Sequence, residues 1–323
     1  MVVTRKTTVR ARPSQWLGFL AIVAIGLAVT ATAYPGDKDS PEPPRAAAIN
    51  AQNGKNAPAI VKIGMLKSMF RDVPASMIPA MNKPFQMLVK SQTGLEGDTV
   101  LIDTLDDLRQ QLVDGQVQLA VFHGFEFAWV KLKQPDLVPI MLAGSNPNAL
   151  KAVVVVKADS SVQNVHDLQG QTLAFPNCTR EHTRLYMSRH CCCNKSPQEY
   201  FAATSPPPQT VEDALEAVVE GKAQVTVVEA SSLEMFRDRK PGRYKRLRTI
   251  ETSEAFPNSV IAYRPGGLDE TSVQKFKDGM STAHVSPVGA RMMSFMKMTK
   301  FEQVPQNFDQ MMAEVVKAYP PPW

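Results

Sequence analysis

The stretch of this chain richest in groups able to do chemistry runs from Gln171 to His190, QTLAFPNCTREHTRLYMSRH. Thr172 to Phe175 is a short apolar run that suits a buried strand, and Pro176-Asn177 breaks it. From Thr179 the spacing becomes helical, with Leu185 and Tyr186 about one turn after His182. A strand, a tight polar turn and a helix start in that order leave the first-turn N–H groups unpaired at the positive end of the macrodipole. Asn177, Cys178, Thr179, Arg180, His182 and Thr183 add donors and positive charge at the same spot. The chemistry to expect is the cradling of an anion. The plain alternative is an ordinary N-cap followed by a surface Glu181–Arg184 pair.

The elements that must carry this turn are signalled by an internal repeat. Residues 104–121, TLDDLRQQLVDGQVQLAV, align without a gap on residues 210–227, TVEDALEAVVEGKAQVTV. Thr104, Asp107, Val113, Gly115, Gln118 and Val121 recur as Thr210, Asp213, Val219, Gly221, Gln224 and Val227. Each copy predicts an amphipathic helix capped by Thr, stopped by Gly and followed by a short strand. Two copies fit two similar α/β lobes rather than a solenoid. The repeat puts His123 and Glu229 at equivalent positions, each at the C-terminal end of a strand. If the lobes face one another, both side chains point into one cleft; the alternative is a polar group satisfied at a helix cap.

Further elements fall in order around the repeat. Ala59 to Leu66 reads as a strand ending in Lys67-Ser68-Met69-Phe70, and such strand ends are where open α/β sheets bind ligands. Pro79 to Gln92 reads as a helix closed by Gly94. Asn148 to Lys157 and Ser259 to Tyr263 read as extended crossings on either side of a second lobe. Leu268 to Tyr319 reads as helical throughout, with Met292, Met296, Met311 and Met312 as core filler.

The ends are of another kind. Arg5, Lys6, Arg10 and Arg12, the apolar run Trp16 to Val29 and Ala31-Thr32-Ala33 make residues 1–33 an export signal, with an uncleaved membrane anchor as the alternative. Residues 34–58, rich in Pro, Ala and polar residues, read as a disordered linker. The signal holds four basic and no acidic residues, so the formal charge falls from +5 to +1 without it, and nothing supports a nucleic-acid partner.

Cys178 and the run Cys191-Cys192-Cys193 raise metal or redox chemistry. Across a helix at 1.5 Å per residue, Cys178 and Cys191 lie about 20 Å apart, beyond the roughly 7 Å that a disulfide allows. His190 beside the triple run lacks the second ligand cluster that zinc sites normally have. The expectation is therefore no metal, no cofactor and no catalytic residue.

Four segments together resemble a known family: VKIGMLKS, the pattern DLxxxLxxGxxxxAVFHG, SVQNVHDLQGQTLAF and VEDALEAVVEGKAQVTVVE. They are similar to phosphate/phosphonate-type, PhnD-like solute-binding proteins of ABC importers, over roughly residues 59–319. The most specific piece is Asp167 to Phe175, DLQGQTLAF. The resemblance implies a two-lobed type II periplasmic-binding-protein fold of the α/β class with two hinge strands. Lobe 1 would be residues 59–150 plus 262–323 and lobe 2 residues 151–261.

Carried over by position, the ligand-binding residues implied are Lys67, Ser68, His123, Cys178, Thr179, Arg180, Glu181, His182, Thr183 and Glu229, the last for a ligand amine. Members that bind phosphonates usually carry a Ser-Thr-Ser-type turn where this chain has Cys178-Thr179-Arg180-Glu181-His182-Thr183. A carboxylate, sulfonate or sulfate therefore stays open beside a phosphorus oxyanion. The implied function is that of an exported, periplasmic protein that captures phosphate, phosphite or phosphonate for an ABC permease. It would touch the membrane only through that permease or an uncleaved anchor. Two alternatives stand beside it: an enzyme on the same fold related to thiamine-pyrimidine synthases, which carry a triple-cysteine run, and a sensing module that feeds no transporter.

Overall fold

The computed structural model describes residues 60–192, 195–203 and 206–323. The expected export signal and linker, and Cys193, lie outside them. Ile60–Leu66 (β1) leads through a 3-10 turn at Lys67–Phe70 to Ile78–Thr93 (α1) and Glu96–Ile102 (β2). Leu105–Val113 (α2), Leu119–Phe122 (β3), Gly124–Lys133 (α3) and Val138–Ser145 (β4) follow. The chain then crosses to Ala152–Lys157 (β5), Thr172–Leu173 (β6), Glu181–Tyr186 (α4), Pro197–Tyr200 (α5) and Ala202–Ala203 (β7). Val211–Glu220 (α6), Val225–Glu229 (β8), Ala230–Arg239 (α7), Pro241–Tyr244 (α8) and Leu247–Thr252 (β9) complete this part. It returns as Ser259–Tyr263 (β10), then Glu270–Ser281 (α9), Pro287–Phe295 (α10), Met298–Gln303 (β11) and Phe308–Ala318 (α11).

The strands form two sheets, ordered β11-β4-β10-β3-β1-β2 and β7-β6-β8-β5-β9. Both are apolar on both faces. Val154 and Val156 of β5 pack into one core cluster of the second sheet and Val153 and Val155 into the other, the period of two that a strand imposes. The first sheet likewise separates two clusters, one under α1, α9 and α10 and one under α2 and α3.

The repeat is the device that builds each half. The Oγ1 of Thr104 accepts from Asp107 N–H and that of Thr210 from Asp213 N–H, each at 3.1 Å. Gly115 and Gly221 take positive φ of 72° and 75° just beyond α2 and at the end of α6, the left-handed stop that side chains disfavour. The shared glutamine explains itself here: Lys62 N–H donates to Gln118 Oε1 at 2.9 Å, and Thr172 N–H donates to Gln224 Oε1 at 2.8 Å. Each Gln pins the strand that follows its helix to the first residues of the parallel neighbour.

Two crossings join the sheets side by side, and they are not the extended runs expected: Pro147–Leu150 is a 3-10 turn, and Ala152–Lys157 and Ser259–Tyr263 are inner strands of the sheets. Ser253 N–H donates to Ala152 O at 2.8 Å and Phe256 N–H to Leu150 O at 2.9 Å. β10 pairs with β4 from Ser259 and with β3 from Val260, so the return to the first sheet runs through residues 253–258. The C-terminal third is not helical throughout. β11 pairs antiparallel with β4 as an edge strand, with most of its side chains exposed or half-buried. Its apolar pattern is weak because its hydrogen bonds to β4, rather than a buried face, hold it in place. Thr172 to Phe175 makes only a two-residue strand, and the helix beyond it starts at Glu181, with Arg180 as its cap residue.

Candidate functional site

The first sheet ends its strands on a polar rim. β1 and β3 are parallel, β10 starts where β3 ends, and β4 runs antiparallel to β10. The topology therefore brings Ser68, His123, Ser145 and Ser259 to one edge of the sheet. Two residues deeper on the same strands lie Val121, Ala143 and Ile261. All seven line one cavity of about 250 Å³. Ser68 Oγ lies 3.4 Å from His123 Nε2, and the ring of His123 stacks on Phe125 at 5.5 Å.

Arg180 and His182 complete the rim from the start of α4, in the other half of the molecule. His182 is only 4% exposed, packs its ring against Phe256 and has no hydrogen-bond partner for Nε2 among the described residues. Burial, with Arg180 and Arg71 beside it, pushes the His123 pKa down to about 3. Burial, with Arg180 and then His123, does the same to His182. Both rings are neutral at physiological pH and offer hydrogen bonds rather than charge.

Charge at the rim comes from a reciprocal clamp. Arg71-Asp72 follow β1, and Arg180-Glu181 open α4. Arg180 Nε donates to Asp72 Oδ2 at 3.0 Å, while Arg71 pairs with Glu181. Lys297, held at φ 56° just beyond α10, also reaches Asp72 Oδ2 at 2.6 Å. Burial alone would raise the Asp72 carboxyl, but Arg180 and Lys297 outweigh it and hold it below the usual range. With the histidines neutral, Arg180, Lys297 and Asp72 leave the cavity lining one net positive charge.

Of the residues expected from the sequence, the structure brings Ser68, His123, Arg180 and His182 together at the cavity. Lys67 turns instead to Asp103, 2.7 Å away at the surface. Cys178 faces a separate cleft beside Thr210 and Val211, with its thiol pushed up by burial and by Glu229. Glu181 is taken by Arg71. Thr179 and Thr183 are wholly buried outside the lining, their hydroxyls unpartnered among the described residues.

Glu229 is also buried, and it does not line the cavity. Its Oε1 accepts from Arg180 N–H at 3.3 Å and its Oε2 from Ser232 Oγ at 3.2 Å. It stands at the position of the repeat equivalent to His123, each at the N-terminal boundary of the helix that follows its strand, α7 and α3, with no side-chain bond to that helix's backbone N–H groups. Asp72, Ser145, Ser259 and Lys297 also line the cavity and carry no signal in the sequence that points to it. The first lies in the loop after β1 that was singled out for Lys67 and Ser68. The serines had no motif, and only the β10–β3 and β10–β4 registers bring them to the rim.

Cys191 and Cys192 are buried in the second-sheet core, and no group of three or more metal-ligating side chains occurs among the described residues. No helix among them is long and apolar enough to cross a membrane.

Comparison with known proteins agrees with this architecture. A component of an ABC phosphonate transporter from Pseudomonas aeruginosa, a binding protein, superposes with a TM-score of 0.55 at 13% identity, over 80% of this chain and 86% of its own. PhnD1 from Prochlorococcus marinus in complex with methylphosphonate gives 0.56 at 11%, over 81% and 98%. A Xanthomonas citri protein bound to ATP gives 0.58 at 14%, over 80% and 96%. These likenesses establish the two-lobed type II periplasmic-binding fold. No curated protein sequence matches the chain. A family model does, over residues 70–307, and on that match the chain belongs to the phosphonate periplasmic substrate-binding proteins of ABC transporters.

Proposed function

We propose that the chain captures a small phosphorus oxyanion at the polar rim of the cavity and presents it to an ABC permease after export. The observation that carries the reading is convergence. Ser68 and His123 from one half and Arg180 and His182 from the other line one cavity in a chain of this family. Arg180 supplies the charge, and a charge-assisted bond to an oxyanion is the strong kind. His123, His182 and Ser68 supply neutral hydrogen bonds. The paired crossings at residues 146–151 and 253–258 serve as the hinge, and the Arg71–Glu181 and Arg180–Asp72 pairs close the halves on each other.

Thermal unfolding of the purified protein with phosphate, phosphite, methylphosphonate and pentylphosphonate tests this. A ligand at about 100 times its Kd adds roughly 2.7 kcal/mol and raises the midpoint by several degrees. No rise with any of them removes the ligand reading. Membrane vesicles carrying the cognate permease, loaded with labelled ligand only when the protein is present, test delivery.

A further inference from the structure

The rim described above is only one end of the cavity. Below it the lining changes character: Met65, Val121, Ala143 and Ile261 form its floor on the sheet face. Met69, Met77, Phe85, Phe295, Met298 and Phe301 form its walls. Phe85 lies on α1, Phe295 ends α10 and Phe301 lies on β11. Met77 and Phe295 are each 43% exposed, two of ten exposed large apolar side chains among the described residues, and both belong to this one lining. Apolar surface left open in a concave site, beside a few convergent polar groups, is the usual make-up of a small-molecule pocket.

The charges rule on the other kind of tail. Asp72 is the carboxylate in the lining, and it already holds Arg180 and Lys297. Glu229, the acid equivalent to His123, is turned to Arg180 N–H and Ser232 outside the lining. Neither carboxylate is placed to receive an ammonium group from a ligand in the cavity. Methionine and phenylalanine walls instead stabilise hydrocarbon, and flexible thioethers adapt to its shape.

Resting on the reading under Proposed function, we infer that the ligand is an amphiphilic organophosphonate, its oxyanion at the Arg180–His182–His123 rim and its uncharged apolar tail against Met77, Phe85 and Phe295. Inorganic phosphate and aminoalkylphosphonates are the ligands this cavity disfavours.

Isothermal titration of the purified protein with phosphate and with methyl-, propyl-, pentyl- and 2-aminoethylphosphonate tests it. Each methylene taken out of water is worth about fourfold in affinity, so pentylphosphonate should bind at least about tenfold tighter than methylphosphonate even with partial burial. Propyl- and 2-aminoethylphosphonate have tails of equal length, and the propyl compound should bind at least about tenfold tighter. Met77→Asn, at an exposed position where folding is not at stake, should lower the pentyl-to-methyl affinity ratio about threefold or more. Phosphate or 2-aminoethylphosphonate binding as tightly as the alkyl series overturns the inference and leaves the proposed oxyanion capture standing. No heat of binding from any compound overturns both.

Discussion

The two copies of the helix–Gly–strand unit make a controlled comparison within one chain. Residues 104–123 and 210–229 share their Thr caps, their left-handed glycines and the glutamine that pins the neighbouring strand, with bond lengths that agree to within about 0.1 Å. Their backbones end alike, His123 and Glu229 each preceding a helix with φ/ψ of −58°/146° and −69°/141°. Yet His123 faces the cavity, and Glu229 fastens the Arg180 turn to the second half. The repeated part holds the frame; the residue that follows it decides what each frame is for. The same scaffold delivers a cavity-lining side chain on one side and, on the other, a brace for Arg180, which lines the cavity from the opposite half.

That division can be broken by substitution. Arg180→Gln should have the largest effect, weakening phosphonate binding about 10- to 100-fold by calorimetry, since it removes the one rim cation on α4's cap along with its charge-assisted bonds. Next come the equivalent residues. Glu229→Ala should lower unfolding free energy by about 1–2 kcal/mol in a urea titration, because it leaves the part-buried Arg180 N–H without its partner and empties the buried Glu229 position. His123→Ala should instead cost mainly affinity. If His123→Ala destabilises more and Glu229→Ala binds worse, the assignment of roles is reversed.

Gly124→Ala should cost about 1–3 kcal/mol, because its Cβ would sit 2.6 Å from backbone oxygens of Pro257 and Asn258 in the return crossing. Gly115→Ala and Gly221→Ala should cost about 1 kcal/mol each, and equally, since both positions need positive φ. Unequal costs would mean that the copies do not share their helix stops.

The pH dependence of stability sharpens the picture further. His123 and His182 have folded pKa values near 3 against the ordinary 6.5, so the unfolded chain takes up protons first as pH falls. Their contribution is complete above about pH 6.5 and drains away below it, by at most ~1.4 kcal/mol per pH unit for each ring. Glu126 runs the other way: burial and Glu181 raise its carboxyl to about 8. Its contribution is complete below the ordinary 4.5 and is lost as pH rises through 8. Together these groups put the stability maximum near pH ~6.5, and Glu126→Gln should flatten the alkaline limb in pH-resolved unfolding.

Much of this was legible in the sequence because it is local or periodic. The duplication, the Thr and Gly caps, the extended runs at Ala152 to Lys157 and Ser259 to Tyr263, and α1 closed by Gly94 follow from spacing and from residues whose backbone preferences are strong. The turn after Phe175 was also found, and two of its residues reach the cavity. β11 was not legible: its side chains are mostly unburied, so no alternation marks it, and its partner β4 lies more than 150 residues earlier. Asp72 and Lys297, joined across 225 residues, carry no motif that either position shows alone.

What the sequence by itself determined is the frame: two α/β halves, their repeated stops and pins, and the neighbourhood of the turn after Phe175 that reaches the cavity. Local backbone energetics and the burial of one helix face or both strand faces suffice for that. Only the tertiary structure decided which side chains of that neighbourhood meet. Thr179 and Thr183 went into the core, Lys67 to the surface, and Arg180 into a pair with Asp72, while methionines and phenylalanines from α1, α10 and β11 gathered under the rim. Side-chain direction at a strand edge or helix cap depends on the packing of elements far apart in the chain, and spacing along one segment does not encode it.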